Sequence, residues 1–299
     1  MSGAACFGLE THFGPQMLTD LLKDTTPVAA IAADRHLPKL AAALAAAAEA
    51  ADDRPMGAAA AAPLLQMDAA SDWRATVAAA AAAAPPREAW ARAAPYDAGI
   101  ITMTSGTSGK PKAIACPAIA YAVAVRARQA RLPYAPSASD DDDEGDEETE
   151  EESDAAEAPP PTDEVEAANV MFVWEAMRPL CYGATSLVVP DEVVLDTTRL
   201  PGFLQTHKAT RVLTTPSLFA TMLETAAEVR AGAVAGATDL ATTLVSLSLW
   251  LLCGEVVPAS LGRRAAEAVP HLTLCNDYSS WEGSDVSIAE VRGSPRSKQ

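Results

Sequence analysis

At 299 residues, 49% of them hydrophobic, the chain can bury a substantial core as one large domain or two. Its formal charge of −18 is local: sixteen acidic residues and no Lys or Arg fall between Asp140 and Glu166, and the remainder holds 24 acidic against 22 basic residues. Without a basic stripe to track a phosphate backbone, nucleic-acid binding is excluded as an expectation.

The longest apolar stretch, near Leu244 to Cys253, is too short to span a bilayer, and Met1 to Phe13 lacks the basic start and apolar run of an export signal. The expectation is a cytoplasmic protein without a membrane partner. Cys6, Cys116, Cys181, Cys253 and Cys275 are widely spaced with no CxxC pair, which fits a reducing compartment and no zinc site.

In chain order, Gln16 to Lys23 reads as a short helix, followed by the apolar run Val28 to Ala33 and a helix from His36 to Ala51. Pro63 to Met67 reads as a strand and Ser71 to Ala84 as an alanine-rich helix. Strand Ile100 to Thr104 leads into a glycine- and hydroxyl-rich turn, Ala113 to Cys116 leaves it as a strand, and a helix follows over Pro117 to Arg131.

From Ser137 to Ala168 the composition turns to Asp, Glu, Pro and Ala, which cannot bury enough apolar surface to offset chain entropy. Residues 137–168 are therefore expected to be a disordered insert between a first part, 1–136, and a second, 169–299. Beyond it, helices are expected at Phe172 to Leu180, Thr198 to His207, Pro216 to Glu228 and Pro258 to Ala268. Strands are expected at Thr185 to Val189, Arg211 to Thr214, Leu244 to Cys253 and Leu272 to Asn276. This alternation predicts an α/β fold of mixed, mainly parallel sheets flanked by helices.

The turn Thr104-Ser-Gly-Thr-Ser-Gly-Lys-Pro-Lys112 has the composition of a phosphate loop: glycines admit backbone N–H groups to an anion, hydroxyls add donors and lysine adds charge. It is not the Walker loop, because Pro111 follows Lys110 where that class needs a magnesium-binding hydroxyl. A P-loop kinase or ATPase is disfavoured for that reason.

The turn closely resembles the signature loop of the adenylate-forming (AMP-binding) superfamily, which includes acyl-CoA synthetases, aryl-acid ligases and peptide-synthetase adenylation domains. Further blocks of that family are matched in order. Val173-Trp-Glu-Ala-Met-Arg-Pro-Leu180 resembles the block beside the acyl pocket, and Thr214-Thr-Pro-Ser-Leu-Phe219 the strand-to-helix corner. Leu252-Cys-Gly-Glu-Val-Val-Pro258 resembles Gly-Gly-Glu-Ala-Leu-Pro, with Cys253 in place of the first Gly. Asn276-Asp-Tyr-Ser-Ser-Trp-Glu282 resembles Asn-x-Tyr-Gly-x-Thr-Glu, with Trp281 in place of Thr. Without the resemblance, Trp174 and Met177 at i, i+3 read as a buried helix face.

The resemblance implies the fold of the family's N-terminal domain and ATP-dependent activation of a carboxylic acid, or an unusual amino acid, as an acyl-adenylate for transfer to a thiol. It implies Lys112 and Glu282 as catalytic residues and Glu282 as a magnesium ligand. Nucleotide contacts would come from Thr104, Ser105, Gly106, Thr107, Ser108, Gly109, Lys112, Gly254, Glu255, Asn276 and Tyr278, the last stacking on adenine. Val170 and Trp174 would line the substrate pocket. Val170 stands where amino-acid-activating relatives place an Asp for the substrate ammonium, which points away from ordinary α-amino acids.

The implied cofactors are ATP and Mg2+, with CoA or a phosphopantetheine carrier as acceptor; the implied partners are a small-molecule carboxylic acid and a carrier protein or separate C-terminal domain. No ribose-binding Tyr-Arg-Thr-Gly-Asp block, hinge or later lysine motif appears before Gln299, so the small C-terminal domain is expected to be absent, the chain being a truncated sequence, a fragment of a larger synthetase or a degenerate relative. The alternative is a non-catalytic scaffold whose acidic segment binds a partner.

Overall fold

The computed structural model describes residues 5–27, 29–49, 64–66, 74–75, 78, 82, 94–104, 112–137, 162–169, 173–232, 239–280 and 284–291. The chain divides into two compact units, Met1–Ala120 and Tyr121–Gln299.

In the first unit, β1 (Cys6–Phe7) pairs in parallel with β4 (Ala98–Thr104), and β4 pairs antiparallel with β5 (Lys112–Pro117). Strands β2 (Ala30–Ala32) and β3 (Leu64–Gln66) form a separate parallel pair. Helices α1 (Pro15–Thr25) and α2 (Leu37–Glu49) pack together through Leu18, Leu21, Leu22, Leu40 and Leu44. Apolar residues at i, i+3 and i+4 give α1 its buried stripe, and Pro15 suits a first helical turn. Gly99 is required by close approach, because a Cβ there would meet the Ala118 Cα at 3.0 Å.

The second unit is built on a six-stranded sheet in the order β11-β10-β9-β8-β6-β7. Its strands are β6 (Val165–Ala168), β7 (Thr185–Val188), β8 (Arg211–Thr214), β9 (Leu249–Cys253), β10 (Thr273–Ser280) and β11 (Ser284–Glu290). All neighbours pair in parallel except β10 and β11. The mixed, mainly parallel α/β architecture is therefore as expected. Helices α3 (Ala118–Arg131), α4 (Val173–Cys181), α5 (Asp191–Val194), α6 (Leu200–Thr206), α7 (Pro216–Arg230), α8 (Leu240–Thr243) and α9 (Ala259–Ala268) complete the order.

Because side chains alternate along strands, the register gives this sheet two unlike sides. One side presents Ala167, Val212, Trp250, Leu252 and Leu274 to a core completed by Leu200, Leu204, Phe219, Met222 and Leu261. Phe219 lies 4.6 Å from Trp250 between ring centroids, and the indole N–H donates to Thr214 Oγ1 at 2.8 Å, so the largest buried side chain keeps its polar atom paired. The other side carries Leu213, Leu249, Leu251, Cys253 and Cys275, together with buried Glu166, Arg211 and Asp277.

Two expectations change here. Composition extends the acidic insert to Ala168, but residues 165–168 form β6, an inner strand of the sheet. Glu166 is buried there because Arg178 pairs with one carboxylate oxygen and the Tyr134 hydroxyl donates to the other. Residues 138–161 lie outside those described. On α4, Met177, expected on a buried apolar face, is 48% exposed, whereas Glu175 and Arg178, spaced i, i+3, are buried.

The strand-to-helix corner behaves as its sequence indicates: Thr215 caps α7, its Oγ1 accepting from the Leu218 N–H at 3.3 Å, with Pro216 in the first turn. Thr215→Ala is expected to cost about 1 kcal/mol, read as a lower urea midpoint at unchanged slope.

Candidate functional site

Residues Thr104 and Lys112, which bound the phosphate-loop segment, are direct Cα partners across the β4–β5 pair. The expected site residues Ser105, Gly106, Thr107, Ser108 and Gly109 lie between them in sequence and outside the described residues, as do Val170 and Glu282. Lys112 is exposed, and Trp174 occupies the second position of α4.

In the second unit, several expected residues gather at the carboxyl ends of parallel strands, the edge at which open α/β sheets bind ligands. Strands β9 and β10 stay in register to the pair Cys253 and Asp277, so Gly254 and Tyr278 are the next residue of each strand. Gly254 has φ +89°, a conformation side chains rarely adopt. This explains why the Gly-to-Cys change at 253 is tolerated and one at 254 would not be: Cys253 remains in the extended strand, its Sγ 2.9 Å from Ser279 Oγ. Burial pushes that thiol up, which makes it a poor nucleophile.

Tyr278 is 62% exposed, leaving an aromatic face available at the strand end, and Asn276 is partly exposed on the same strand. Glu255 is differently engaged. Its carboxylate accepts from the Ser217 backbone N–H at 3.0 Å and from the Ser217 hydroxyl at 2.8 Å. The first turn of α7, which could otherwise attract a phosphate, thus already holds an anion, and the Glu255 carboxylate is committed to Ser217.

Beneath Tyr278 lies a cluster that sequence reasoning missed. The Arg128 side chain of α3, 1% exposed, donates from Nη1 to Glu175 Oε2 at 2.8 Å, from Nη2 to Asp277 Oδ2 at 2.6 Å and from Nε to Asp285 Oδ2 at 2.5 Å. One guanidinium therefore serves three carboxylates. Burial opposes the charge on Arg128, but Glu175, Asp285 and Asp277 outweigh it and hold the guanidinium well above its usual range. Asp277 is also raised, which for an acid favours the neutral form: burial dominates the attraction of Arg128, Asp285 and Glu175 add repulsion, and its carboxyl is pushed up to about 7. Its Oδ1 is buried without a hydrogen-bond partner. The available signal was two Asp residues, 277 and 285, within strand-like segments; the Arg that pairs them is remote in sequence.

A second buried network stands at the amino ends of β6 and β8. Arg211 pairs with Glu164, donates to the Leu132 carbonyl at 2.7 Å and lies 4.3 Å from the Tyr134 ring centroid. Despite its burial, Glu164 is held below the usual carboxylate range by Arg211, while burial followed by Glu166 pushes Tyr134 up. Its place at the opposite strand ends assigns it to structure. Among the described residues, no group of three or more His, Cys, Asp or Glu side chains could hold a metal ion.

The model of the family described as AMP-binding enzyme matches residues 1–293. The chain belongs to the AMP-binding enzyme family. In fold the chain is similar to the crystal structure of IdnL7, with a TM-score of 0.64 at 20% identity, covering 98% of this chain and 50% of that one. A similar AMP-binding structure is the Vibrio cholerae adenylation domain AlmE in complex with glycyl-adenosine-5'-phosphate, with a TM-score of 0.62 at 16% identity over 98% of this chain and 49% of that one. In sequence, the chain is 31% identical over 192 residues to the glycine betaine reductase ATRR of Emericella nidulans, a match covering 64% of this chain and 12% of that protein. The AMP-binding chain thus spans a small part of that relative and about half of each structural one.

Proposed function

We propose that this chain binds ATP and activates a carboxylic acid as its acyl-adenylate. The observation that supports it most directly is the exposed Tyr278 beside Gly254 at the carboxyl edge of the parallel sheet, in a chain of the AMP-binding family. In this reading Tyr278 stacks on adenine, Gly254 lets the backbone run close to the base, and Lys112 with the hydroxyls and N–H groups of Thr104 to Gly109 binds phosphate. Glu282 is the proposed magnesium ligand, and the metal supplies charge neutralisation on the phosphates. The substrate carboxylate attacks the α-phosphorus, forming the acyl–phosphate bond as the bond to pyrophosphate breaks; the thiol of CoA or phosphopantetheine would then attack the acyl carbon, forming the thioester as the acyl–phosphate bond breaks and AMP leaves.

The proposed substrate is a small carboxylic acid whose cationic centre, if it has one, lacks N–H groups. Val170 offers no carboxylate to an α-ammonium, and the relative ATRR is a glycine betaine reductase. A panel of glycine betaine, glycine, larger α-amino acids and simple aliphatic acids, assayed for acid-dependent exchange of pyrophosphate into ATP, tests this. Exchange with betaine or simple acids at least 10-fold above that with α-amino acids is expected, and preference for the amino acids would reverse the Val170 assignment. The scaffold reading is favoured by Trp281 standing where the family has Thr, and it predicts no exchange with any acid.

A further inference from the structure

We propose that Arg128 is a positioning residue that clasps β10 to β11 and thereby sets the strand presenting Tyr278. The proposal rests on the nucleotide reading above for its functional consequence and on geometry for the clasp itself.

Strands β10 and β11 form the antiparallel edge of the sheet, and their register shifts between Tyr278 and Ser279. Such a bulge interrupts the ladder of backbone hydrogen bonds, so the residue meant to present an aromatic ring sits where backbone pairing is weakest. Arg128 compensates from the covered side of the sheet. Asp277, immediately before Tyr278, lies on one strand; Asp285, partner of Ser279, lies on the other. The guanidinium bonds to both, reaching Asp285 through Nε and through Nη2 at 2.6 Å. Its planar fork suits such bridging, which a lysine ammonium cannot reproduce. Through Glu175 the same group adds α4, the helix of Trp174, so α3, α4, β10 and β11 are tied at one point.

The groups that face Asp277 are Arg128 from α3, Glu175 from α4, Asp285 from β11, Cys253 from β9 and Cys275 from its own strand. With Asp277 neutral, the cluster has one cation and two anions. Once it ionises there are three anions, two of them on the strands being held together, and repulsion between them opens the clasp. A residue that merely filled space would confer no such pH response.

The test uses Arg128→Lys, Asp285→Asn and Asp277→Asn in the full chain, with amide hydrogen exchange by mass spectrometry and ATP–Mg2+ binding by calorimetry. In Arg128→Lys and in Asp285→Asn, amides of 276–280 and 284–290 are expected to exchange at least 10-fold faster while those of β8 stay at the parental rate, and ATP binding is expected to weaken at least 10-fold. Parental exchange in these strands, corrected for its intrinsic pH dependence, should quicken as pH rises through about 7, and Asp277→Asn should abolish that rise. Unchanged exchange in Asp285→Asn, or in Arg128→Lys if it folds, overturns the clasp. Parental ATP affinity in a variant whose strands have loosened overturns its service to Tyr278. Failure of the parent to bind ATP overturns the nucleotide reading, and the exchange data still decide the clasp.

Discussion

Arg128→Met is expected to destabilise the protein by about 3–5 kcal/mol, the usual cost of removing one partner from a buried ion cluster. The substitution keeps most of the side-chain volume but leaves Glu175, Asp277 and Asp285 facing one another without a cation, in a place where the arginine is 1% exposed. Desolvated like charges either repel or must take up protons. The loss should therefore be smaller at pH 5 than at pH 8. The exposed Arg264–Glu224 pair, at 3.3 Å, is the natural control: Arg264→Met should cost under about 1 kcal/mol, because solvent already screens it. Urea denaturation of the three proteins at both pH values measures this, and equal, small losses for the two variants would show that the Arg128 cluster is solvated.

The second large effect is a pH dependence that falls in an unusual direction. Asp277 is raised in the folded protein, from the usual 3.8 to about 7, so between those values the folded state binds more protons than the unfolded one. Stability from this group is fully present below the unfolded value and is lost as pH rises through about 7, a change of roughly 4 kcal/mol. Glu164 acts with the opposite sign: its lowered value stabilises above the ordinary carboxylate range and is lost as pH falls through its folded value. The parent should therefore lose stability between pH 5 and pH 8, and Asp277→Asn should flatten that slope while leaving the acid limb in place. Thermal or urea unfolding across pH 4–9 reads both limbs, and identical slopes in parent and variant would contradict the assignment.

Much of the fold is legible in the sequence because its signals are local. Strand β8 is an apolar run closed by a Thr-Thr-Pro cap, and its expected and observed bounds coincide at Arg211–Thr214. Other elements are longer or shorter than expected: β9 begins at Leu249, because residues 240–243 form the short helix α8 before it. Strand β6 was illegible for a different reason. Its four residues, Val-Glu-Ala-Ala, continue an acidic run, and only Arg178 and Tyr134, brought by the fold, make Glu166 admissible in a buried position. The same holds for Arg128, which stands on an alanine-rich helix between Arg126 and Arg131 and reads as a solvated cation. Its carboxylate partners lie 47, 149 and 157 residues away. The candidate residues Gly254, Glu255, Asn276 and Tyr278 come from the resemblance to family blocks rather than from periodicity, and the structure adds that the Glu255 side chain is committed to Ser217.

The most direct measurement of the central claim is calorimetry of ATP–Mg2+ binding to the purified chain and to its Tyr278→Ala and Lys112→Ala forms. Both side chains are exposed, so neither substitution should disturb folding, and unchanged melting temperatures would establish that. The account predicts saturable binding by the parent and at least about 5-fold weaker binding by each variant, the loss at Tyr278 reflecting about 1–3 kcal/mol of stacking on the base. Parental affinity in both variants, or no binding by the folded parent, would contradict it.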